Sequence, residues 1–284
     1  MITQTLKESS HLHDLMKHHT HAKVLAVTSG KGGVGKTNIA ANLGICLAAS
    51  GKRVVLLDAD LSLGNLEAIM NINSKYNISH MLAGRKTMDE IIHIGPEGLE
   101  IICGASGLAD LADLSEFQRQ RLLSELSTLQ NNCDIIAIDT AAGISKSVVG
   151  LCLAANHVLV VTTPEAAAMT DAYAMIKVLT AKNFTGRISV VVNMADGMAE
   201  GRRTYRQIAG VAKKFLNTHI YCGAVLPNDD KLKAAVRLRK PVVLAYPRAS
   251  ITASLAALAA KLSTGSMVQA DDTGFLRKVV DWFC

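Results

Sequence analysis

Seven short apolar runs, which alternate almost throughout with helix-like stretches, constrain the fold of this chain more than any other feature. The runs are rich in Val and Ile, and several are apolar on both faces, as strands buried inside a parallel sheet are. Such alternation is typical of an α/β fold with a doubly wound, mostly parallel sheet flanked by helices. The predicted strands are 24–29, 53–58, 99–103, 134–139, 157–163, 187–193 and 220–226, and the predicted helices are 37–50, 115–130, 145–155, 165–181, 199–216, 229–239 and 249–263.

The composition argues against several classes of protein. With 284 residues, of which 49% are hydrophobic, the chain can bury a sizeable core. No apolar run reaches the roughly 18 residues that span a bilayer, and the N-terminus lacks the apolar region and cleavage site of a secretory signal. Six cysteines without a C-x-x-C pair favour reduced thiols of a cytosolic protein over a disulfide framework, a zinc site or an iron–sulfur carrier. The formal charge of +6 permits contact with nucleic acid or anionic lipid and argues for neither.

The sequence divides into three parts. Residues 1–22 are polar and contain five of the nine histidines, and without a cluster of other ligands we expect a flexible, solvated arm rather than a metal site. Residues 23–264 contain the predicted strands and helices and form one domain. Residues 265–284 begin as a linker and end in GFLRKVVDWFC, which can form a short amphipathic helix. At roughly 100° per residue, the apolar face of that helix consists of Phe275, Leu276, Val279, Val280 and Phe283.

A glycine-rich loop, SGKGGVGKTN at residues 29–38, joins the first predicted strand to the first predicted helix. Gly30–Thr37 fits the pattern G-x-x-x-x-G-K-[ST] in the strand–loop–helix context that gives the pattern its meaning. The glycines let successive backbone N–H groups point at phosphate oxygens, and the helix N-terminus adds a favourable dipole. We expect Lys36 to reach the β- and γ-phosphates of a nucleotide and the Thr37 hydroxyl to bind Mg²⁺. The expected nucleotide-contacting residues of the loop are Gly30, Lys31, Gly32, Gly33, Val34, Gly35, Lys36, Thr37 and Asn38.

The additional lysine early in the loop, Lys31, adds a family resemblance. GKGGVGKT resembles the deviant Walker A motif of the MinD/ParA/nitrogenase-iron-protein class of ATPases, the SIMIBI branch of the P-loop NTPases. The resemblance implies ATP as the nucleotide, Mg²⁺ as the metal, and an ATP-bound homodimer in which Lys31 reaches the phosphates held by the other protomer. A cation supplied in trans acts like an arginine finger, so hydrolysis waits for dimerisation. The alternative is a solvated loop lysine.

Three aspartates stand at the C-terminal ends of predicted strands, where the ligands of open α/β sheets gather. In the class that the loop resembles, the residue at Asp60 orients or activates the attacking water, and Asp58 lies beside the Mg²⁺ shell. Asp139 matches the Walker B-type carboxylate, which holds Mg²⁺ usually through water. The alternative for Asp58 and Asp60 is a pair that caps the next helix. The resemblance therefore implies Lys31, Lys36 and Asp60 as catalytic residues and Thr37, Asp58 and Asp139 as metal-site residues.

The residues around the base are assigned by the resemblance alone. Asn193 matches the position that contacts adenine in relatives, and Pro227 and Asn228 match their second base-flanking loop. Gly143 gives the backbone freedom to close on a γ-phosphate, as switch loops do. Ala141 stands where many members of the class have proline, which points to a subgroup.

Longer stretches are similar to the flagellar-number ATPases, the FlhG/FleN group. They include DTAAGIS, VVTTPEAAAMTDAYAMIKVL and LPNDDKLKAAVRLRKPVV, and the resemblance covers residues 22–264. It implies a regulator of flagellar number and placement in the cytoplasm, with the SRP-type GTPase FlhF, a flagellar transcription activator and C-ring components as partners. Members of the group often carry a DQAxxLR motif that stimulates FlhF. Only Leu12 of that motif is present here, so this segment does not predict stimulation.

The C-terminal helix has two interpretations. Related ATPases use such a helix to lie on the inner face of the cell membrane. Each buried apolar side chain contributes at most about 1.5–3 kcal/mol, so one tail should bind the membrane weakly. The two tails of an ATP-bound dimer should bind it much more strongly. The alternative is a helix that docks on the protein's own core.

Two rival functions stay open. One is a MinD-like division-site ATPase. The other is a ParA-like partition ATPase that binds DNA nonspecifically through a basic face. Helical charges are more often simply solvated, so nucleic acid is the less expected partner. The residues of that face would be Arg202, Arg203, Arg206, Lys213, Lys214, Lys231, Lys233, Arg237, Arg239 and Lys240.

Overall fold

The computed structural model describes residues 22–60, 65–104 and 116–264. The strands are β1 (Lys23–Ser29), β2 (Val54–Ala59), β3 (Ile92–Ile94), β4 (Glu100–Ile102), β5 (Ile135–Ala142), β6 (His157–Thr162), β7 (Arg187–Ala195) and β8 (Tyr221–Pro227). The helices are α1 (Lys36–Ala49), α2 (Asn65–Met70), α3 (Ile78–Leu82), α4 (Met88–Ile91), α5 (Glu116–Asn132), α6 (Lys146–Ala154), α7 (Ala166–Ala181), α8 (Met198–Leu216), α9 (Asp230–Arg237), α10 (Val242–Ala245) and α11 (Ser250–Ser263). The predicted N-terminal arm, apart from residue 22, and the predicted C-terminal helix lie outside the described residues.

The strands form one sheet in the order β3-β4-β2-β5-β1-β6-β7-β8. All neighbouring strands pair in parallel except β3 and β4, which are antiparallel. The chain starts near the middle of the sheet at β1, builds one side through β2, returns to β5, and then builds the other side through β6, β7 and β8. This is the doubly wound, mostly parallel sheet that the sequence predicts.

Side chains of the central strands alternate between two apolar cores, one on each face of the sheet. Val24 and Ala26 of β1 pack into the core covered by α6, α7 and α8. Leu25 and Val27 pack into the core covered by α1 and α11. Burial on both faces is the reason that these strands are continuously apolar in sequence.

Five short elements were not predicted from the sequence: β3, α2, α3, α4 and α10. Each contains between three and six residues, which is too short to show a repeating apolar pattern. β3 is also an antiparallel edge strand that is only partly covered, so it lacks the apolar run of a central strand.

Three of the described cysteines are core side chains. Cys103, Cys133 and Cys152 are buried and make no disulfide. Burial raises the pKa of each of these thiols to about 12, so they remain protonated near neutral pH. A protonated, buried thiol is a poor nucleophile and a poor metal ligand.

The sheet topology brings distant residues together at one edge. Asp58 of β2 lies opposite Asp139 of β5, and Asp139 lies opposite Val27 of β1. The glycine-rich loop starts directly after β1. Because the carboxyl ends of parallel strands meet at the same edge, the loop and the aspartates in the C-terminal halves of β2 and β5 form one site.

His157, at the start of β6, gives the core a pH dependence. Its side chain is fully buried, and Nε2 lies 2.9 Å from the Ser189 hydroxyl. Burial, with a smaller contribution from Arg187, lowers the pKa of His157 from 6.5 to about 3. Below pH 6.5 the unfolded chain therefore binds a proton that the folded chain does not bind. The stability from this residue is complete above about pH 6.5 and falls by about 1.4 kcal/mol per pH unit as the pH drops toward 3.

We expect His157→Gln to remove this pH-dependent contribution to stability. Between about pH 6.5 and pH 4 its free energy of unfolding should fall less steeply than that of the parent chain. Ser189→Ala is the matched control, because it removes the hydrogen-bond partner and keeps the buried imidazole. Its free energy of unfolding should therefore fall with decreasing pH as steeply as that of the parent chain. Chemical denaturation at each pH measures all three chains. Parallel pH profiles for the parent and His157→Gln would contradict the assignment.

Candidate nucleotide-binding site

The loop between β1 and α1 has the backbone of a phosphate cradle. Gly33 and Gly35 have φ angles of 80° and 88°, in the left-handed region that favours glycine. Gly35 directly precedes α1, and no side chain caps this helix. The first N–H groups of α1 and the positive end of its dipole are therefore available to an anion at the loop. This local geometry is what a phosphate group requires.

A cavity of about 610 Å³ opens beside the loop. Ligand-binding pockets generally measure about 300–1,000 Å³, so a nucleotide fits this space. Among the described residues that line the cavity, Lys36 is the one cation and Asp60 the one carboxylate. The lining residues are Ser29, Gly32, Gly33, Val34, Gly35, Lys36, Thr37, Asn38, Asp60, Asn65, Ala68, Ile69, Ala141, Ala142, Met194 and Val236.

Lys36 is held by carboxylates at the base of the loop. Its side chain is 6% exposed, and Nζ lies 2.8 Å from Oδ1 of Asp139 and 3.8 Å from Oδ2 of Asp60. Burial raises the pKa of Asp139, whereas the charge of Lys36 and hydrogen bonds from Lys36 and Thr37 act in the opposite direction. Asp139 is fully buried, and its Oδ2 has no hydrogen-bond partner among the described residues.

Asp58 adds a second buried carboxyl next to Asp139. Its Oδ1 accepts a hydrogen bond of 3.1 Å from the backbone N–H of Asp60, and burial raises its pKa to about 7. Lys36 thus forms ion pairs with Asp139 and Asp60, and its charge also acts on the buried Asp58. The unpartnered Oδ2 of Asp139 and the Thr37 hydroxyl are oxygen donors of the kind that Mg²⁺ prefers. The residues present therefore fit a magnesium site.

Lys31 does not line the cavity of its own chain. Its Nζ donates a hydrogen bond of 2.8 Å to Oε2 of Glu165, the residue before α7, and the two side chains are 40% and 68% exposed. The hydrogen bond to Glu165 raises the pKa of Lys31, so the side chain is a cation at neutral pH. The two lysines of the loop therefore have different surroundings, one buried against carboxylates and one exposed beside α7.

The predicted base-contacting residues do not line the cavity, and one of them, Asn193, contacts the loop. Asn193 is fully buried and donates from Nδ2 to the backbone oxygen of Val34 at 2.8 Å. The backbone N–H of Asn228 donates to the oxygen of Ala195 at 2.9 Å. Neither Asn193 nor the pair Pro227 and Asn228 lines the cavity, so their contact with a base stays a prediction.

The fold has been seen in solved structures. Septum site-determining protein MinD complexed with Mg-ADP from Pyrococcus horikoshii matches with a TM-score of 0.70 and 23% identity, covering 86% of this chain and 97% of that chain. At that identity the likeness concerns the fold. A family model described as an AAA domain matches residues 22–200.

Two curated relatives decide the family. Antiactivator FleN of Pseudomonas aeruginosa is 38% identical over 242 residues, which cover 85% of this chain and 86% of FleN. Flagellum site-determining protein YlxH of Helicobacter pylori is 37% identical over 254 residues, which cover 87% of this chain and 85% of YlxH. This chain is a MinD/ParA-family ATPase.

Several residues of the ATPase site were missed in the sequence. Asn65, Ala68 and Ile69 line the cavity from α2, and the only sequence signal was their position shortly after Asp60. Met194 lies at an irregularity of the sheet, where two residues of β7 stand opposite one residue of β8. Its φ is 55°, and its side chain lines the cavity. Such a β-bulge turns a side chain in a direction that a regular strand would not allow. Val236 comes from α9.

Gly30 is the position of the ATPase loop that tolerates a side chain least. A Cβ there would lie 2.2 Å from the backbone oxygen of Asp171 in α7, whereas a Cβ on Gly32 would meet nothing within 4 Å. We expect Gly30→Ala to destabilise the nucleotide-free protein by about 1–3 kcal/mol, because neither backbone can move cheaply. Gly32→Ala is the matched control and should stay within about 0.5 kcal/mol of the parent. Chemical denaturation measures both, and equal stabilities would contradict the contact between the loop and α7.

Proposed function

We propose that this ATPase is a dimerisation switch that regulates flagellar number or placement, and that its ATP-bound dimer associates with the inner surface of the cell membrane. The observation that carries the proposal is the separation of the two loop lysines. Lys36 serves its own cavity, whereas the exposed Lys31 lies outside that cavity and is a cation. A cation in that position can complete the site of a second protomer.

The hydrolytic step follows from the chain's own residues. Lys36 leaves Asp139 for the β- and γ-phosphates of ATP. Thr37, Asp58 and Asp139 would hold Mg²⁺, which would supply positive charge to the phosphates during transfer. Asp60, which is 14% exposed at the cavity wall, accepts a hydrogen bond from the attacking water and orients it. Attack of the water oxygen on the γ-phosphorus forms a new P–O bond and breaks the bond to the β–γ bridging oxygen. The products are ADP and inorganic phosphate, and the proton lost by the water passes to the phosphate oxygens or to solvent.

Exposed apolar side chains in the segments at and after the carboxyl ends of β5, β7 and β8 support a homodimer. Two of them, Met194 and Val236, line the cavity itself. Several large apolar side chains at one edge favour a surface that becomes covered by another molecule. They are Ile144, Met194, Met198, Val236 and Leu238, with exposures of 51%, 39%, 53%, 42% and 63%.

The flagellar role is supported by the relatives FleN and YlxH, each matched over more than four fifths of the chain. A transcription activator is a fitting partner because FleN is named an antiactivator. FlhF and C-ring components are proposed by resemblance alone.

The test of the flagellar role replaces the gene with an Asp60→Ala version and counts flagella per cell by electron microscopy. A changed number supports the proposal, whereas normal flagella with misplaced septa favour a division-site ATPase.

Membrane association is proposed for the segment that follows α11. In the part of the chain that the structure describes, no helix has the length and apolar character to cross a bilayer. The proposed contact is peripheral, through the apolar face of residues 274–284, and it strengthens in a dimer because two tails act together. In a vesicle flotation assay, the protein should float with the vesicles when ATP is present and should not when ADP is present. Removal of residues 274–284 should abolish recovery, and equal recovery with both nucleotides contradicts the coupling.

The structure weakens the rival basic DNA-binding face. Ile208 and Ala212 of α8 pack into the core on one face of the sheet, whereas Ala235 of α9 packs into the core on the other face. The cations of α8 and those of α9 therefore belong to opposite layers of the fold. Nucleic acid is not part of the proposed function.

A further inference from the structure

Met194 enters the nucleotide cavity from a strained position of β7. Its φ of 55° lies in the left-handed region, which a long side chain adopts only at a cost in free energy. The residues on both sides are held in place. Asn193 donates from Nδ2 to the backbone oxygen of Val34, and the oxygen of Ala195 accepts from the N–H of Asn228. With both neighbours held, the bulge directs the Met194 side chain into the cavity.

Met194 and Val236 are the apolar side chains that β7 and α9 contribute to the cavity. The two residues are 39% and 42% exposed, so apolar surface is left open there. The terminal methyl of Met194 lies 3.6 Å from the position that a Cβ would take on Gly35, so the end of this side chain lies against the phosphate loop. We call this pair the Met194/Val236 face.

The strand order puts Asp60 and Met194 on opposite sides of the phosphate loop. β1, which leads into the loop, stands between β2 and β7, with two strand spacings to either side. At about 4.8 Å per spacing, β2 and β7 are roughly 19 Å apart across the sheet. Asp60 directly follows β2 and Met194 belongs to β7. The γ-phosphate must meet the water at Asp60, so the rest of the nucleotide extends toward the Met194/Val236 face. This step rests on the role of Asp60 in the proposed function.

We propose that Met194 binds the purine base of ATP, with its thioether packed on the flat face of the base and Val236 beside it. The faces of an aromatic base are its least polar surfaces, and the polarisable sulfur of methionine makes favourable contacts with aromatic rings. A methionine side chain is also unbranched, so it can adjust its rotamer to the base. Nucleotide pockets of this kind combine such apolar walls with a few polar groups.

The proposal accounts for the strained backbone of Met194. Asparagine adopts the left-handed conformation more readily than methionine does, so it would satisfy the bulge at a lower cost in free energy. Strained residues cluster at sites that hold ligands, where the side chain itself is needed. The chain therefore gives up stability at this position for an apolar side chain that faces the nucleotide.

Met194→Asn separates these two roles in the full-length chain. Isothermal titration calorimetry with Mg²⁺ present measures the binding of ADP and of pyrophosphate, which has no base. The affinity for ADP should fall at least about ten-fold, because the base loses its apolar contact, and the affinity for pyrophosphate should be unchanged. Without nucleotide, the variant should unfold at the same temperature as the parent or at a higher one, because asparagine relieves the strain. Met194→Leu keeps an apolar side chain and should recover most of the lost affinity for ADP.

Glu97→Asn is the matched control. Glu97 is exposed, its φ is 57°, and it precedes β4 at the opposite edge of the sheet. It should leave both affinities unchanged. Equal losses for ADP and pyrophosphate in Met194→Asn would overturn the proposal, because Met194 would then support the loop and not the base.

Unchanged ADP affinity in Met194→Asn, or an equal loss in Met194→Leu, would also overturn the base contact. These measurements require neither dimerisation nor hydrolysis, so the base contact can fail while the dimerisation switch stands. Parent-like turnover in Asp60→Ala would contradict the proposed function and leave the ADP result as it is.

Discussion

Lys36→Met is expected to reduce ATP affinity by at least about 100-fold and to bring turnover below detection. Among the described residues that line the cavity, Lys36 is the one cation. Its removal leaves the phosphates of ATP without a charge partner at the base of the loop. A fluorescent ATP analogue measures affinity, and phosphate release measures turnover. Lys52→Met, at an exposed lysine beyond α1, is the control and should match the parent.

The same substitution should destabilise the nucleotide-free protein by about 3–5 kcal/mol, because it leaves a buried carboxylate without its cation. Nζ of Lys36 is 2.8 Å from the fully buried Asp139. Adding Asp139→Asn to Lys36→Met should restore stability and leave turnover absent. This double variant separates a folding defect from the loss of a phosphate-binding group. Parent-like turnover in Lys36→Met would contradict the site.

Lys31→Ala is expected to reduce turnover by about three orders of magnitude, as removal of a cation supplied in trans does in other phosphoryl-transfer enzymes. Affinity for the first bound nucleotide should change little, because Lys31 does not line its own cavity. Glu165→Gln is the matched control, since it removes the partner of Lys31 and keeps the cation. It should retain turnover.

Mixing two inactive variants tests whether Lys31 acts in trans. A mixed dimer of a Lys31→Ala protomer and an Asp60→Ala protomer contains one complete site, because the intact Asp60 of one chain meets the intact Lys31 of the other. Part of the parent turnover should therefore return when the two proteins are combined. If mixed dimers form but turnover does not return, Lys31 does not act on the nucleotide of the other protomer.

The parts of the site that the sequence could predict depend on local pattern and strand order. The loop from Gly30 to Thr37 is contiguous, so its motif and its strand–loop–helix context are both visible. Asp58 and Asp139 were predictable because each ends a continuously apolar strand, and parallel strands end at one edge. Their adjacency in sheet register agrees with that expectation.

The parts that could not be predicted depend on packing between distant segments. Lys31 and Glu165 are 134 residues apart, and nothing in either local sequence indicates their contact. Met194 reaches the cavity through a bulge whose position depends on how β7 pairs with β8. Asn193, assigned to the base by resemblance, also supports the loop through Val34, and that contact needs the folded structure to be seen. The short helices α2 to α4 carry too few residues for periodicity to show.

The central claim is that two copies of this chain close around ATP, and their association state tests it most directly. Sedimentation velocity should show a monomer with ADP and a dimer with a non-hydrolysable ATP analogue and Mg²⁺. The Asp60→Ala variant should remain dimeric with ATP itself, since it cannot hydrolyse the ATP that holds the dimer together. A parent chain that stays monomeric when saturated with the analogue would contradict the account.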